Sequence, residues 1–511
     1  MFDADVIICG GSLGGVAAAL AACGMGKKVV LLEATQWVGG QLTSQAVPPD
    51  EHRQIEFQGC TASYRSYRQA VRDYYTSLEG FSAEVKAQKS FCPADSEVSL
   101  LSHPPKLALK ILSERLQPFV QKGLLAVYTQ AKLLSAQVAG DEIASVTYEI
   151  AGQRRQFSGR VFLDATDTGE LLEKSGTEFT VGAESASATG ERDAAAVQDC
   201  ADLQPCTYTA CIENRKRGDF VIPKPYMYDR FKKLQMPYDC YPVYSMYGPD
   251  SQTGRAKRFG MFEGERDEKG NELFPLFKYR RIVAAKNFVD GSHPYDVTLV
   301  NWPQNDYFLG NLFGCDNAAE NDEMAKLFTL GFVYWLQTEA PRADGGKGYG
   351  YFRLATEYLG TDNGLSMAPY VRESRRIRAL QCTVTEQDVL EGKSFHDSVG
   401  VGSYPIDVHI TTRSHTFFNI PTRPFTIPLG AMVPVRMKNL LPACKNAGTT
   451  HLTNGCFRLH PVEWNVGEVA GLLACFMLDE GVLAAEVRQN AKLFERFAHL
   501  LQDKGIQRYW H

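Results

Sequence analysis

The sequence predicts an α/β fold organised around a parallel, nucleotide-binding sheet, and three observations support this. An apolar run at Asp5–Cys9 leads directly into a glycine-rich turn, a helix of small residues and a second apolar run, Lys28–Glu33. Further runs at 124–128, 132–138 and 143–150 have the length and composition of strands. Residues 439–480 again combine a short apolar run, a polar loop and a helix. Strands that alternate with helices in this way indicate a parallel sheet.

Composition excludes several classes of protein. The 511 residues allow two or three domains, and 54 Lys+Arg against 59 Asp+Glu give a net charge of -5, which offers no basic surface for nucleic acid. No apolar run approaches the roughly 20 residues of a membrane span. The 13 cysteines form no C-x-x-C pair, so we expect neither a disulfide framework nor a metal site. Met1 leads almost at once into a strand, without room for a signal peptide. We expect a cytoplasmic monomer or homodimer.

The first strand, turn and helix form a dinucleotide-binding βαβ unit. Gly10 makes the tight turn, and Gly15 lets the helix sit close to the sheet. Ser12 stands at the middle position, where glycine is usual; its small hydroxyl can itself donate to a phosphate. A pyrophosphate would rest on the helix N-terminus, and Glu33, at the end of the second strand, would accept from ribose hydroxyls. A βαβ unit without nucleotide is the alternative.

Three later segments extend this pattern. A second glycine pair, Gly39–Gly40, follows the acid closely. The run Arg160–Gly169 reads as a strand that ends in Ala165, Thr166 and Asp167. Near the C-terminus, Asn439–Ala443 precedes the polar segment Asn446–Gly455.

Together these motifs resemble the glutathione-reductase-type flavoprotein pattern. From residue 5 to about 480 the chain is similar to the broad family of FAD-dependent oxidoreductases, a group often labelled FAD-dependent or xanthan-lyase-like. Further similar stretches are Pro48–His52, Asn301–Tyr307, Tyr370–Arg376 and Ser403–His409. The resemblance implies a Rossmann-like FAD-binding domain, with a parallel sheet plus β-meander, and an inserted mixed α/β substrate domain. It implies FAD as cofactor, contacted by Gly10, Gly11, Ser12, Gly14, Gly15, Glu33, Ala34, Gly39, Gly40, Gln41, Leu42, Lys132, Ala165, Thr166, Asp167, Asn446, Glu463, Asn465 and Val466.

The C-terminal helix is expected to approach the flavin. Gly467, Ala470 and Gly471 leave one of its faces nearly bare, which would let it start close to a flat ring. A helix that begins near Asn465 would direct positive potential at the N1–C2=O edge of the flavin.

The domain organisation follows from these assignments. We expect a discontinuous FAD-binding domain at 1–198 and 415–480, with 56–99 as an insertion into it. Residues 199–414 are expected to form the substrate domain, and 481–511 a helical tail.

Histidines are the first candidates for taking a substrate proton, since a neutral imidazole near pH 7 suits that task. His460 is the first choice because it stands just before the expected flavin helix; the alternative is a hydrogen bond to the preceding loop. His409 is the second. In an extended segment it shares a face with Asp407, and the alternative is a surface pair.

Other polar residues are candidates for substrate contact. Arg376, together with Arg372, would grip a carboxylate or phosphate, which predicts an anionic small-molecule substrate; the alternative is pairing with nearby acids such as Glu373. Asp306 would line the substrate pocket or belong to a packed aromatic loop. His52 could carry a covalent flavin bond, although we expect non-covalent FAD.

The leading hypothesis is an enzyme that oxidises or desaturates a small organic molecule and passes electrons to oxygen or another acceptor. The second is a flavin-dependent monooxygenase or halogenase using NAD(P)H, although the sequence holds neither a second glycine fingerprint nor a W-x-W-x-I-P run. A non-catalytic FAD-binding scaffold is an alternative of another class.

Overall fold

A computed structural model describes residues 3–511. The strands are β1 (Ala4–Cys9), β2 (Val29–Leu32), β3 (Leu125–Tyr128), β4 (Ala131–Ala139), β5 (Glu142–Ile150), β6 (Gln153–Asp164), β7 (Phe179–Thr180), β8 (Cys206–Thr207), β9 (Ala210–Asn214), β10 (Tyr247–Pro249), β11 (Ala256–Arg258), β12 (Arg281–Val283), β13 (Val297–Val300), β14 (Phe352–Leu354), β15 (Tyr370–Val371), β16 (Arg376–Ile377), β17 (Ser398–Gly402), β18 (Ile406–Val408), β19 (Phe418–Ile420), β20 (Phe425–Pro428) and β21 (Leu440–Pro442).

The α-helices connect and cover these strands. They are α1 (Leu13–Gly24), α2 (Ala62–Ser77), α3 (Ala83–Lys86), α4 (Pro105–Gln121), α5 (Glu170–Lys174), α6 (Ala186–Thr189), α7 (Tyr228–Lys232), α8 (Leu276–Tyr279), α9 (Ala318–Thr338), α10 (Glu386–Glu391), α11 (His451–Phe457), α12 (His460–Glu480), α13 (Ala484–Gln489) and α14 (Ala491–Asp503). Among residues 3–511, no helix combines the length and the apolar character that a bilayer span requires.

The predicted parallel sheet is confirmed. Strand order is β3-β2-β1-β6-β5-β4, with β21 also paired to β6. Strand β1 runs parallel to β2 and β6, and β2 runs parallel to β3. Successive side chains of a strand point to opposite faces, and β1 buries both sets: Val6 and Ile8 join one apolar cluster, while Ile7 and Cys9 join another. A strand that is buried on both faces explains the continuous apolar run.

The long strand β6 connects the parallel sheet to the meander. Its first half pairs antiparallel with β5, from Gln153 opposite Ile150 to Ser158 opposite Ser145. Its second half pairs in parallel with β1 and β21. The end of β6 therefore lies beside the end of β1, which places Ala165 next to the glycine turn.

Glycines of the C-terminal helix serve helix packing. A Cβ on Gly467 would lie 2.0 Å from the carbonyl oxygen of Gly14, and one on Gly471 would lie 2.5 Å from that of Ala18. The bare face of α12 therefore packs against α1, where we had expected it to face the flavin ring. The helix also begins at His460, five residues before the expected start at Asn465, with a proline in its first turn.

A second apolar cluster, from Cys206 to Ile410, underlies the antiparallel sheet β12-β13-β9-β14 and helix α9. It falls within the expected substrate domain, whose boundaries stay a prediction. Residues 384–408 lie inside those boundaries, yet several of their apolar side chains, including Val399, pack in the first cluster. They do so because β17 pairs with β20 and lies against α12.

Candidate functional site

The turn between β1 and α1 brings backbone segments unusually close. Gly10 has φ +101°, and a Cβ there would lie 2.2 Å from the carbonyl oxygen of Ala165. A Cβ on Gly15 would lie 2.2 Å from the carbonyl oxygen of Gly10. Any larger residue would separate the turn, the helix and the end of β6. The hydroxyl of Ser12 accepts from the Gly15 N–H at 3.2 Å and so caps the helix.

The start of α1 has the features of an anion site. Within residues 3–511, the backbone N–H groups of Ser12 and Leu13 have no hydrogen-bond acceptor. Two free donors at a helix N-terminus, together with the helix dipole, suit a pyrophosphate.

The carboxylate of Glu33 lies beside this turn and is almost fully buried. It accepts from the Gly11 N–H at 2.7 Å, and from the N–H and the hydroxyl of Thr35 at 2.7 Å each. Burial raises the pKa of Glu33 above its ordinary value, against the hydrogen bonds of Thr35 and Gly11, which lower it. These contacts fix the carboxylate next to the helix start, as a ribose contact requires.

A cavity of about 180 Å³ opens at this position. The predicted residues that line it are Gly10, Glu33, Ala34, Lys132, Ala165, Thr166 and Asp167. Sequence reasoning missed Thr35 and Ala368, which also line it. Thr35 could have been found from its position two residues after the acid, whereas Ala368 comes from a distant loop. An open cleft that shares Ala34 and Thr35 continues outward, so the cavity can accept a group longer than a ribose.

The second glycine pair packs on the start of α1. Gly39 and Gly40 both have positive φ, and a Cβ on Gly40 would lie 3.0 Å from the Cα of Ser12. The following Gln41 side chain donates to the carbonyl of Arg458 at 2.9 Å and to the carboxylate of Glu463, and Leu42 is buried beside it. The same Glu463 carboxylate accepts from the Gly14 N–H at 3.1 Å. This buried acid therefore joins three segments predicted to contact FAD.

A further ion pair fixes the end of β6. The fully buried ammonium of Lys445 lies 2.6 Å from the Asp167 carboxylate. Burial opposes its charge, but Asp167 and nearby acids hold the pKa of Lys445 above its ordinary value. The amide of Asn446 donates to the Asp164 carbonyl at 2.9 Å. Sequence reasoning singled out Asn446 and Asp167 but missed Lys445 between them.

Asn465 and Val466 lie away from the start of α12. The amide of Asn465 donates to the Val399 carbonyl at 3.3 Å, on the side that faces β17, and Val466 packs in the apolar core. Since the helix begins five residues earlier than expected, its N-terminal turn is formed by His460 and its neighbours. This geometry gives no support to a flavin contact for Asn465 and Val466.

His460 is completely buried at that N-terminus. Its Nδ1 accepts from the Asp50 N–H at 3.0 Å, and Asp50 pairs with Arg280 at 3.1 Å. Burial lowers the pKa of His460 to about 4, so the ring is neutral at pH 7. Because Nδ1 accepts, we assign the proton to Nε2, which makes no well-formed hydrogen bond within residues 3–511, although the Val47 backbone acts to raise the pKa of the ring. His460 therefore offers a donor rather than a base.

Several buried polar atoms near this ring are also without partners. They are the side-chain oxygen of Gln41, both amide atoms of Gln45 and Nδ1 of His103. Buried polar groups are normally hydrogen-bonded. The unpartnered atoms of Gln41, Gln45, His103 and His460 therefore fit a bound molecule that supplies hydrogen-bond partners for them. The polar edge of a flavin would satisfy them.

His409 lies between two carboxylates. Its Nδ1 is 2.5 Å from the Asp306 carboxylate, and its Nε2 is 3.4 Å from Asp407. Asp306 also accepts from Arg372 at 2.8 Å, and Asp407 accepts from Arg458 at 2.8 Å. The predicted proximity of Asp407 and His409 is thus present, and Asp306 joins them from a distant part of the chain.

Both carboxylates are ionised at neutral pH. Burial acts to raise the pKa of Asp306, but the charge of Arg372 and the contacts with His409 and Thr207 outweigh it and hold that pKa below its ordinary value. The pKa of Asp407 is lowered in the same way, since His409, Arg458 and the amide of Asn419 outweigh burial. An ionised Asp306 can only accept, so we assign a proton to Nδ1 of His409.

A cavity of about 330 Å³ opens beside His409. His409 retains 19% of its side-chain exposure, whereas Asp306 retains 2%. Five aromatic side chains line the cavity: Phe259, Phe274, Tyr279, Tyr404 and Phe417. Three carboxylates line it, those of Glu97, Asp250 and Asp407, against the single lysine Lys257.

Arg376 forms ion pairs in the interior of the protein. Its guanidinium is fully buried, pairs with Glu373 and Glu184, and donates to the Thr449 carbonyl at 3.1 Å. Arg372, the other arginine considered, is bound to Asp306. The predicted grip of Arg376 on an anionic substrate is therefore replaced by an internal ion-pair network.

His52 packs against the C-terminal segment. Its Nε2 lies 3.1 Å from the Gly59 carbonyl, and its ring meets Trp510 edge-on at 5.4 Å between centroids. These contacts give no support to a covalent flavin bond at this residue.

Several solved structures match this chain at low identity. A 3-ketosteroid-Δ4-(5α)-dehydrogenase from Rhodococcus jostii RHA1 matches at 13% identity and a TM-score of 0.21, over 34% of this chain and 49% of its own. A myxobacterial FAD-dependent halogenase matches at 16% identity and a TM-score of 0.23, over 43% of this chain and 45% of its own. The matched regions thus span about half the length of these two proteins.

A geranylgeranyl bacteriochlorophyll reductase-like protein from Thermoplasma acidophilum matches over 99% of this chain and 84% of its own, at 9% identity and a TM-score of 0.31. No curated protein matches the sequence. The model of the family "FAD dependent oxidoreductase" matches residues 5–501, nearly the whole chain, and confirms the predicted family and cofactor. The chain belongs to the family of FAD-dependent oxidoreductases.

Proposed function

We propose that this oxidoreductase oxidises a small organic molecule bound in the aromatic cavity beside His409. Bound FAD would supply the acceptor for the hydride that leaves the substrate. The observation that carries the proposal is the position of His409, at the edge of the cavity and held from behind by Asp306.

His409 is proposed to take the substrate proton. Because Asp306 accepts from Nδ1–H, Nε2 is the ring atom proposed to receive the substrate proton at the cavity wall. A substrate O–H or N–H can transfer its proton to Nε2, and the imidazolium that forms is stabilised by both carboxylates. A positioned base of this kind contributes about 10²–10⁴-fold to the rate.

His460 is proposed to serve the cofactor instead. Its Nδ1 is occupied by the Asp50 N–H, so the free Nε2–H can donate but cannot accept a proton. This is why we assign the base to His409, the second choice from sequence. Donation toward the polar edge of FAD would satisfy Nε2, which is otherwise buried without a partner.

The remaining FAD contacts follow from the geometry. The free N–H groups at Ser12 and Leu13 are proposed to hold the pyrophosphate, and Glu33 the ribose hydroxyls. Gln41 and Gln45 are proposed to meet the ring system. In support of this arrangement, Glu463 joins Gln41 to the first turn of α1.

The substrate is proposed to be neutral. Each carboxylate of the cavity wall is paired with a base of the protein: Glu97 with Lys278, Asp250 with Lys257 and Asp407 with Arg458. Arg372 and Arg376 are likewise bound to acids of the protein. This replaces the anionic substrate expected from the arginine-rich segment. Aromatic walls with a base at one edge suit alcohols and amines.

Rapid anaerobic mixing with a panel of alcohols and amines tests the proposal, with loss of flavin absorbance as the signal. His409→Gln should slow flavin reduction by about 10²–10⁴-fold. His396→Gln is the matched control, since that histidine is exposed and makes no side-chain bond within the described residues. Unchanged reduction in His409→Gln, with a large loss in His460→Gln, would return the base to His460.

A further inference from the structure

A second large cavity lies away from the cofactor and from His409. It has a volume of about 410 Å³ and opens between α2, α4 and the segment that contains β12. Its wall is mostly apolar and aromatic, with Tyr74, Tyr75, Leu78, Leu107, Phe288 and Tyr358. It shares no lining residue with the cavity beside His409 or with the cavity beside Glu33. The proposed oxidation makes no use of it.

The rim of this cavity is basic. Lys106 and Lys110 lie one turn apart on α4 and therefore on the same side of the helix, and both line the cavity. Lys106 is exposed and has no ion-pair or hydrogen-bond partner within residues 3–511. Lys110 meets only Glu114, in an exposed pair that solvent screens. His293 adds a third nitrogen-bearing side chain to the wall.

The single acid in the wall offsets only part of this charge. Glu357 is bound at 3.2 Å by Arg353, which also pairs with Glu213, and the charge of Lys106 helps to lower the pKa of Glu357. Two lysines therefore face one carboxylate that already has a partner. The cavity therefore combines an apolar interior with net positive charge at its mouth. A ligand that satisfies both features has an apolar body and one negatively charged end.

We propose that this cavity is a binding site for a small amphipathic anion, in which a carboxylate meets Lys106 and Lys110 and an aromatic or aliphatic body lies among the aromatic side chains. A neutral ligand would leave the lysines unused, and a cation would be repelled.

Calorimetric titration of the FAD-bound Phe274→Trp variant, in which the cavity beside His409 is filled, with three matched compounds tests the site. The compounds are 4-phenylbutyrate, 4-phenylbutanol and 4-phenylbutylamine, which differ mainly in the charge of one end. We expect the carboxylate to bind most tightly, with one site per chain. The double variant Lys106→Glu/Lys110→Glu should weaken its binding by about tenfold, since each lysine contributes as an exposed ion pair. Lys122→Glu, an exposed lysine at the end of α4, should leave it unchanged.

The location is tested with cavity-filling variants. Leu78→Trp should abolish binding of 4-phenylbutyrate, whereas Phe274→Trp, in the cavity beside His409, should not. Equal affinity for the three compounds, full binding after the charge reversal, or loss of binding only in Phe274→Trp would each overturn the proposal. The charge-reversal variants decide the matter even if Leu78→Trp fails to fold, because both lysines are exposed.

Discussion

Replacement of Glu33 by glutamine tests the cofactor site most directly. The two carboxylate oxygens accept three hydrogen bonds, one from Gly11 and two from Thr35. An amide has only one oxygen, so its NH₂ group must face either the Gly11 N–H or both donors of Thr35. Either orientation sets donor against donor in a buried position. The side chain therefore loses both its charge and its fixed direction.

The expected loss of FAD affinity follows from the proposed ribose contact. A hydrogen bond to a charged group contributes about 1.5–3 kcal/mol, which corresponds to roughly 10- to 150-fold weaker binding. Glu33→Arg should lose FAD altogether, because a long cation would also fill the cavity. Flavin absorbance per chain after dialysis, and fluorescence titration of the apoprotein, measure both effects.

Glu142→Gln is the control for Glu33→Gln, since Glu142 is an exposed acid at the start of β5. It should bind FAD as the wild type does. Full occupancy and unchanged affinity in Glu33→Gln would refute the ribose contact. If Glu33→Gln lost both FAD and its folded structure, the cause would be a defect of the βαβ unit and not a lost ribose contact. Circular dichroism distinguishes these two cases, because it measures the folded structure.

Three further predictions concern linkage, packing and pH. Acid precipitation should release FAD into the supernatant, because His52 is held by Gly59 and Trp510; a yellow precipitate would contradict this. Gly467→Ala should yield unstable protein that loses FAD, since its Cβ would lie 2.0 Å from the Gly14 carbonyl oxygen; a normal melting temperature would show that α1 and α12 can separate freely. The unfolded chain protonates His460 near pH 6.5, but the folded ring does so only near pH 4. The contribution of His460 to the free energy of unfolding is therefore fully present above pH 6.5, and about 3 kcal/mol of it should be lost between pH 6.5 and pH 4. Urea unfolding of wild type and His460→Gln at both pH values should show this difference only in the wild type, and parallel losses would refute it.

The sequence predicted those parts of the fold and site that depend on local geometry. The βαβ unit could be found because a tight turn, a close helix and an acid at the strand end each restrict the residue at one position. The residue types at positions 10, 15 and 33 are therefore explained by local geometry that can be predicted from the sequence. The parallel sheet followed from apolar runs long enough to be buried on both faces.

Pairings between distant segments could not be predicted in the same way. Asp306 and His409 are 103 residues apart, and nothing in either segment indicates that they meet. The small residues of α12 showed that a close contact exists but not which partner makes it: Gly467 and Gly471 meet α1. Arg376 looked like an anion contact because Glu184 is brought to it only by the fold, whereas its other partner, Glu373, lies three residues away and was the alternative that the sequence offered.

His460 and His409 differ in the hydrogen-bond partner of Nδ1, and this partner determines which ring nitrogen carries the proton. Both rings are imidazoles beside an aspartate, and the sequence favoured His460 from its position before the helix. In the structure, Asp50 presents its backbone N–H to His460, so the free ring nitrogen carries a proton. Asp306 presents its carboxylate to His409, so Nδ1 of that ring carries a proton and Nε2 lies toward Asp407. The proposed roles, a cofactor contact for His460 and proton acceptance for His409, rest on this difference between a donor and an acceptor at Nδ1.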